Sequence, residues 1–416
     1  MANLFAEIKP ALTEDEALSE ANRCLSCFDA PCTRACPTHI DVPAFIKKIA
    51  SGNLRGSAKT IFDANVLGGS CARVCPTEVL CEGACVMHDL HARPIQIGPL
   101  QRHATDWAMS RGVRAFEKGA RSGGKVAIVG AGPAGLACAA ELERRGIDAT
   151  IFEAGKEGGL NTTGVADYKM TAGFSYQEVG WLKEAGLAIR QGVRVGQDIS
   201  FAELEREYDA VFIGVGLGRV GPLGIAGDTL PGVVDAIDFI AALKESHSAR
   251  VGKNVIVIGG GNTSIDAVTQ ALALGAQQVT LTYRRSAEEM PAYEHEVALA
   301  RAFGARLEFS LQPIFLHGSS KVEEVEYSRD GKTLRLPCDM VIVATGQKPH
   351  RPFLESLPGV KIERGCVVVN EKMQTSNPTY FAGGDCVSGG KEVVNGVADG
   401  KLAAQSIAAI LKGKHG

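Results

Sequence analysis

The feature that most constrains the fold is a unit that occurs twice: an apolar run, a glycine-rich turn, a helix-periodic stretch and a second apolar run. The first copy reads KVAIVGAGPAGLACAAELERRGIDATIFEA, from Lys125 to Ala154. Its leading run, Val126 to Val129, has the all-apolar composition of a strand buried on both faces, as in parallel sheets. Gly130, Gly132 and Gly135 follow at GxGxxG spacing. In such a turn the first glycine makes the tight bend, the second lets a pyrophosphate approach the backbone, and the third lets the helix lie close on the strand. The helix that begins at Pro133 and Ala134 then points its free N–H groups at the phosphates. Glu153, 23 residues after Gly130, closes the second strand, where a carboxylate accepts hydrogen bonds from ribose hydroxyls.

The second copy reads NVIVIGGGNTSIDAVTQALALGAQQVTLTYRRS, from Asn254 to Ser286. Gly259 and Gly261 take the turn, Asn262 and Thr263 open the helix, and Ser264 stands at the third glycine position. Its closing end differs from that of the first copy. Tyr283, Arg284, Arg285 and Ser286 offer cations and hydroxyls to a 2'-phosphate and no carboxylate to repel it, which favours NADPH over NADH. A solvated basic turn is the competing reading of the same residues. Two unlike dinucleotide units in one chain suggest FAD at the first and NADPH at the second.

Further along, MVIVATGQKP (340–349) and TYFAGGDCV (379–387) resemble the strand-and-glycine signatures of the pyridine nucleotide-disulfide reductase superfamily. The resemblance implies that the GD element closes over FAD, with Asp385 accepting from a ribityl hydroxyl and the Gly383 and Gly384 amides near the flavin. It implies the same neighbourhood for Gly159 and Leu160. VVNGVADGKLAAQSI (393–407) reads as a closing helix whose N-terminus faces the reduced flavin. After Gly159 and Leu160, relatives commonly carry a GIPxFRLP-like stretch, whereas this chain has GVADYKM from Gly164 to Met170, and no role is assigned to Tyr168 or Lys169. The redox CxxC of a disulfide reductase is absent beside the flavin signatures, and Cys138, Cys338, Cys366 and Cys386 read as core or incidental thiols.

Twelve cysteines are present, and eight of them lie between Cys24 and Cys85. In a chain of 416 residues without an export signal, such clustering favours metal or cluster ligation over disulfides. RCLSCFDAPCTRACP holds Cys24, Cys27, Cys32 and Cys36, then a proline, and resembles a bacterial ferredoxin run with a longer middle gap. Cys71, Cys75, Cys81 and Cys85 complete eight thiols, the count for two 4Fe-4S clusters. Zinc is disfavoured because one CxxC only is present and a flavin signature follows. A capping box at Thr13 and Glu16 starts a helix that leads to Cys24 and Cys27.

On CxxC-x4-C-x3-CP, CARVCPTEVLCEGAC and PIQIGPLQ the whole chain resembles the NAD(P)H-oxidising subunit of bacterial dihydropyrimidine dehydrogenases, and more distantly the glutamate synthase small subunit. That resemblance implies one cluster on Cys24, Cys27, Cys32 and Cys85, and another on Cys36, Cys75, Cys81 and Gln101. Cys71 is then left over, against the simple count of eight thiols. His88 and His91 read as solvated or hydrogen-bonded.

The expected fold class is α/β: two Rossmann-like nucleotide-binding domains of pyridine nucleotide-disulfide reductase type, preceded by an α-helical iron-sulfur domain. The expected boundaries are 1–105 for two 4Fe-4S clusters, 106–235 with 345–416 for FAD, and an inserted NAD(P)H domain at 236–344. Hydride would pass from NADPH (or NADH) to FAD, and single electrons through the clusters to an acceptor. Glu294 and Glu296, after Met290-Pro291, lie in a segment that the resemblance covers, and read equally well as an exposed helix face. Pyrimidine chemistry needs a barrel of about 250 residues, and no stretch of that length is unassigned. The expected partner is therefore an FMN- and pyrimidine-binding catalytic subunit. A formal charge of -3 with dispersed basic residues argues against nucleic acid, and the absence of a long apolar run argues against a membrane span, so a cytoplasmic home is expected. An electron-input subunit for another acceptor, of glutamate synthase type, and a non-catalytic redox sensor or assembly module are the competing readings.

Overall fold

The structure is a computed structural model that describes residues 7–246 and 249–415. It opens with short helices. Thr13 and Glu16 form the expected reciprocal cap of the helix Glu14–Asn22. Asp41 and Asn53 cap the helices Val42–Ala50 and Leu54–Ala64 by accepting from Ala44 N–H and Gly56 N–H. Each helix buries one stripe: Val42, Phe45, Ile46 and Ile49 on the former, Ala58, Ile61 and Phe62 on the latter. Helix Ile97–Ser110 adds Leu100, Ala104 and Ala108, spaced four apart on the same face. The eight clustered cysteines lie on or beside the short helices and turns of this region, where the backbone bends often enough to bring distant thiols together.

The chain then forms β1 (Lys125–Val129), β2 (Asp148–Glu153), β3 (Ala188–Gln191) and β4 (Ala210–Ile213). It continues into β5 (Val233–Asp235), β6 (Asn254–Ile258), β7 (Gln278–Thr282) and β8 (Arg306–Glu308). A meander follows as β9 (Gln312–His317), β10 (Glu324–Arg329) and β11 (Lys332–Pro337), and β12 (Met340–Val343) ends this run. The chain closes with β13 (Ile362–Glu363), β14 (Cys366–Val367), β15 (Tyr380–Ala382) and the long helix Val393–His415. Two parallel five-stranded sheets result, in the orders β15-β4-β1-β2-β3 and β5-β12-β6-β7-β8. The leading strands β1 and β6 are central, with every residue after the first buried, as their apolar runs require. The α/β class with a helical region ahead of two Rossmann-like sheets is therefore the observed architecture.

The described residues form two compact units. One comprises Ile8–Thr162, Gly173–Leu217 and the chain from Pro349 onward, and so holds the helical region together with the first sheet. The other comprises Thr163–Ala172 and Gly218–Lys348. Thr163–Ala172, which in sequence lies between strands of the first sheet, thus packs with the second. Among the described residues no helix is long and apolar enough to cross a membrane.

Candidate functional site

At the first glycine turn the three glycines are needed for three separate reasons. Gly130 has φ of 106°, and a Cβ there would lie 2.5 Å from the Gly214 carbonyl oxygen. A Cβ on Gly135 would lie 2.0 Å from the Gly130 oxygen, so only glycine lets the helix Pro133–Arg144 sit on its own turn. A Cβ on Gly132 would meet nothing within 4 Å, which leaves the open side of the turn free for a ligand's phosphates. Glu153 serves the turn itself: its carboxylate accepts from Ala131 N–H at 2.7 Å and from Gly155 N–H at 2.6 Å. The expected ribose contact would use the lone pairs that these two bonds leave.

Other expected flavin residues converge on this turn. A Cβ on Gly159 would meet Gly132 Cα at 3.0 Å, and one on Gly384 would meet Ala134 Cβ at 3.0 Å. Leu160 starts the short helix Leu160–Thr163, and next to it the buried Asn161 Oδ1 has no hydrogen-bond partner among the described residues. A buried acceptor without a donor fits a ligand that supplies one. Asp385 is the first residue of a short helix and accepts from Lys391 N–H at 3.0 Å. Burial raises its carboxyl above the ordinary range, and the neighbouring Asp399 adds to the rise. Asp399 itself holds Gly384 N–H at 2.9 Å, a role that its position in an amphipathic helix does not disclose.

The second turn repeats the geometry. A Cβ on Gly259 would lie 2.3 Å from the Ala344 oxygen, whereas one on Gly261 would meet nothing within 4 Å. Ser264, in the third position, is buried and donates to the Gly261 carbonyl at 2.5 Å, so a small hydroxyl replaces the third glycine without loss of contact. Asn262 uses its Oδ1 to accept from Tyr293 N–H at 3.0 Å, and Ala292 N–H donates to the Gly260 oxygen at 3.0 Å. Thr263 is half-buried in the first turn of the helix Asn262–Ala273. Arg284 and Arg285 are exposed and form no ion pair among the described residues. The hydroxyls beside them are engaged: Tyr283 Oη donates to the Glu289 carbonyl at 3.0 Å, and the Ser286 hydroxyl bonds the Glu288 carboxylate, while the Ser286 backbone N–H donates to Glu289 Oε2 at 3.2 Å. Glu296, read from sequence as exposed, is buried, because the helix Glu294–Ala302 turns this face inward and only Glu294 outward.

The thiols fall into two neighbourhoods. Burial raises the Cys24 thiol, and Cys27 and Cys85 add to the rise. Cys32 is pushed up to about 11 by burial, with Cys24 and Cys85 as its thiol neighbours. Cys75 is raised by a hydrogen bond with Cys71, by burial, and by Cys81 and Cys36. Cys81 is raised by burial, with Glu82, Cys36 and Cys32 nearby. Cys24, Cys27, Cys32 and Cys85 are thus neighbours in one set, and Cys36, Cys71, Cys75 and Cys81 in the other, with Cys32 also near Cys81; among the described residues no three His, Cys, Asp or Glu side chains are arranged to hold a metal ion. Neutral thiols crowded out of water are the donors that a cationic iron-sulfur centre binds as thiolates. Gln101 is buried and donates its side-chain amide N–H to the Gly68 carbonyl at 2.7 Å. Cys71 is buried and accepts from Asn65 Nδ2 at 3.1 Å. His88 is tied to the Glu82 carbonyl at 3.1 Å. All twelve cysteines are free, so Cys138, Cys338, Cys366 and Cys386 form no disulfide.

Comparison with known proteins places both halves. Residues 1–113 match the family described as dihydropyrimidine dehydrogenase domain II, 4Fe-4S cluster, and residues 124–400 match pyridine nucleotide-disulphide oxidoreductase. The chain is 35% identical to the NAD-dependent dihydropyrimidine dehydrogenase subunit PreT of Escherichia coli (strain K12), over 99% of this chain and 98% of the relative. It is also 35% identical to the NADPH glutamate synthase small chain of the same organism, over 97% of this chain and 93% of the relative. Among solved structures, T. acidophilum thioredoxin reductase matches at a TM-score of 0.58 and 25% identity, over 68% of this chain and 97% of that one.

The two glycines of the first turn separate binding from folding. Gly132→Ala adds a Cβ that meets no protein atom within 4 Å, so its unfolding midpoint in flavin-free form should match the parent, while its flavin-to-protein ratio after reconstitution falls severalfold. Gly135→Val, driven into the Gly130 carbonyl, should lower the unfolding free energy by about 2 kcal/mol or more. Flavin absorbance at 450 nm and urea denaturation read the two effects.

Proposed function

The chain belongs to the pyridine nucleotide-disulphide oxidoreductases, with an N-terminal 4Fe-4S domain of dihydropyrimidine dehydrogenase type, and from that premise we propose that it is the electron-input subunit of an NAD(P)-dependent dihydropyrimidine dehydrogenase. The single observation that carries the reading is the joining, in one compact unit, of an open glycine turn and two sets of crowded thiols. The Gly130–Gly135 turn, Gly159, Leu160, Gly384 and Asp385 would hold FAD. The Gly259–Thr263 turn with Arg284 and Arg285 would hold NADPH or NADH. Cys24, Cys27, Cys32 and Cys85 would hold one 4Fe-4S cluster, and Cys36, Cys75, Cys81 and Gln101 the other. Such groups supply the exchange between a two-electron donor and one-electron carriers.

The chain's own residues bind and orient. The open faces at Gly132 and Gly261 admit pyrophosphates to helix N-termini, and Glu153 keeps the Ala131 amide fixed while doing so. No side chain is assigned a proton-transfer role. The uncommitted Arg284 and Arg285 support NADPH, although a relative of equal rank is named NAD-dependent. The acceptor is an FMN subunit in which uracil or thymine is reduced to the 5,6-dihydro compound, in a cytoplasmic hetero-oligomer. The name of the matched PreT, a dihydropyrimidine dehydrogenase subunit, supports this. The glutamate synthase small chain, at the same identity, supports a second reading in which another acceptor is served.

Purified protein should reduce an artificial dye with NADPH faster than with NADH, and Arg284→Ala with Arg285→Ala should erase that difference, read by steady-state kinetics with each nucleotide. Co-purification with an FMN-containing, uracil-reducing subunit supports the proposal; capture of a glutamate synthase large subunit supports the second reading; absence of dye reduction overturns both. The ligand choice has its own test. Gln101→Leu should alter one of two low-temperature EPR signals while Cys71→Ser leaves both intact. The reverse pattern would make Cys71 the ligand.

A further inference from the structure

Tyr168 and Lys169, on the segment that joins the second unit, lie in a buried polar cluster beneath the nucleotide turn. We propose that Lys169 is a positioning residue for that turn: it locks the helix Glu294–Ala302, and with it the loop that carries Arg284 and Arg285, onto the helix Asn262–Ala273. The inference rests on the reading that Gly259–Thr263 holds a nicotinamide dinucleotide.

Lys169 Nζ lies 2.8 Å from Asp266 Oδ1 and 2.6 Å from Glu296 Oε1, and all three side chains are only 10% exposed. Asp266 stands four residues into the helix that starts at the turn, and Glu296 stands in the first turn of the other helix. Two carboxylates so placed out of water repel each other unless a cation lies between them. Burial on its own would lower the lysine's proton affinity, but Asp266 and Glu296 override it and raise that affinity above the ordinary range, so the clamp stays charged. Tyr168 Oη adds a bond to Asp266 at 2.7 Å. The segment itself is held at two more points: Asp167 N–H donates to Gln270 Oε1 at 3.2 Å, and Lys244 donates to the Met170 carbonyl at 2.5 Å.

What the clamp holds reaches the ligand side directly. The residues just before Glu294 return to the turn, where Ala292 N–H meets the Gly260 oxygen and Tyr293 N–H meets Asn262 Oδ1, each at 3.0 Å. The loop from Arg284 to Tyr293 is thus tied at its far end to the residues that would receive the pyrophosphate. If Lys169 is lost, that tie has to form against carboxylate repulsion, and the competent arrangement becomes a minor population.

The test uses the full-length, flavin-loaded protein and calorimetric titration with NADP+ and NAD+. Lys169→Met should raise the NADP+ dissociation constant about tenfold, the factor expected if one molecule in about ten keeps the loop seated. Flavin content should stay at the parent level. Lys169→Arg, which preserves the cation, should restore most of the affinity, and Glu296→Gln, which frees only the second helix, should weaken binding severalfold. In turnover the NADPH KM should rise with kcat at saturation within about twofold. Should Lys169→Met lose flavin or fold, Glu296→Gln decides: unchanged NADP+ affinity in a flavin-loaded Glu296→Gln protein overturns the proposal. A parent protein that binds neither nucleotide would instead refute the nucleotide-site reading beneath it.

Discussion

The close approach of backbone carbonyls to the glycine turns is the constraint on which both nucleotide-binding units depend. At Gly135 the Cβ position lies 2.0 Å from a carbonyl oxygen, and at Gly130 and Gly259 it lies 2.5 and 2.3 Å from one. These contacts exclude side chains, seat the helix N-terminus at the carboxyl end of a buried parallel strand, and leave Gly132 and Gly261 facing open space. An anion at that point meets free N–H groups and the positive end of a helix. The rest of the first unit secures this arrangement from outside. Glu153 pins Ala131, Gly159 leaves no room for a side chain against Gly132, and the long closing helix holds Gly384 through Asp399.

The helical region obeys a different logic. Its capped helices bury apolar stripes, but the segments between them are short and bend often, and this allows Cys85 to join Cys24 and Cys32, and Cys36 to join Cys75 and Cys81. In the proposed account these sets are the one-electron outlet for a cofactor filled by hydride, and the two chemistries are housed in the same compact unit.

Much of this was legible in sequence because it is local. The strand, glycine turn and helix of each copy occupy some thirty consecutive residues, and the need for Gly135 comes from Gly130 in the same turn. The capping box at Thr13 and Glu16 is equally local. What was not legible depends on partners far along the chain. Lys169 meets Asp266 and Glu296 across about a hundred residues, so nothing near GVADYKM signals that the segment packs with the second sheet. Glu296 sits in a polar helix whose inner face is revealed only by the buried cation opposite it. Asp399 and the second duty of Glu153 were hidden in the same way, since a carboxylate that binds backbone amides leaves no pattern in side-chain chemistry.

The central claim is that hydride taken from a nicotinamide at one glycine turn leaves the chain as single electrons through the thiol-bound clusters. Anaerobic titration of the reconstituted protein with NADPH, followed at once by flavin absorbance and by low-temperature EPR, measures that directly. The account predicts that flavin bleaching and reduced 4Fe-4S signals appear together from the first additions. Bleaching of the flavin with the iron-sulfur spectrum unchanged, even at excess NADPH, would contradict it.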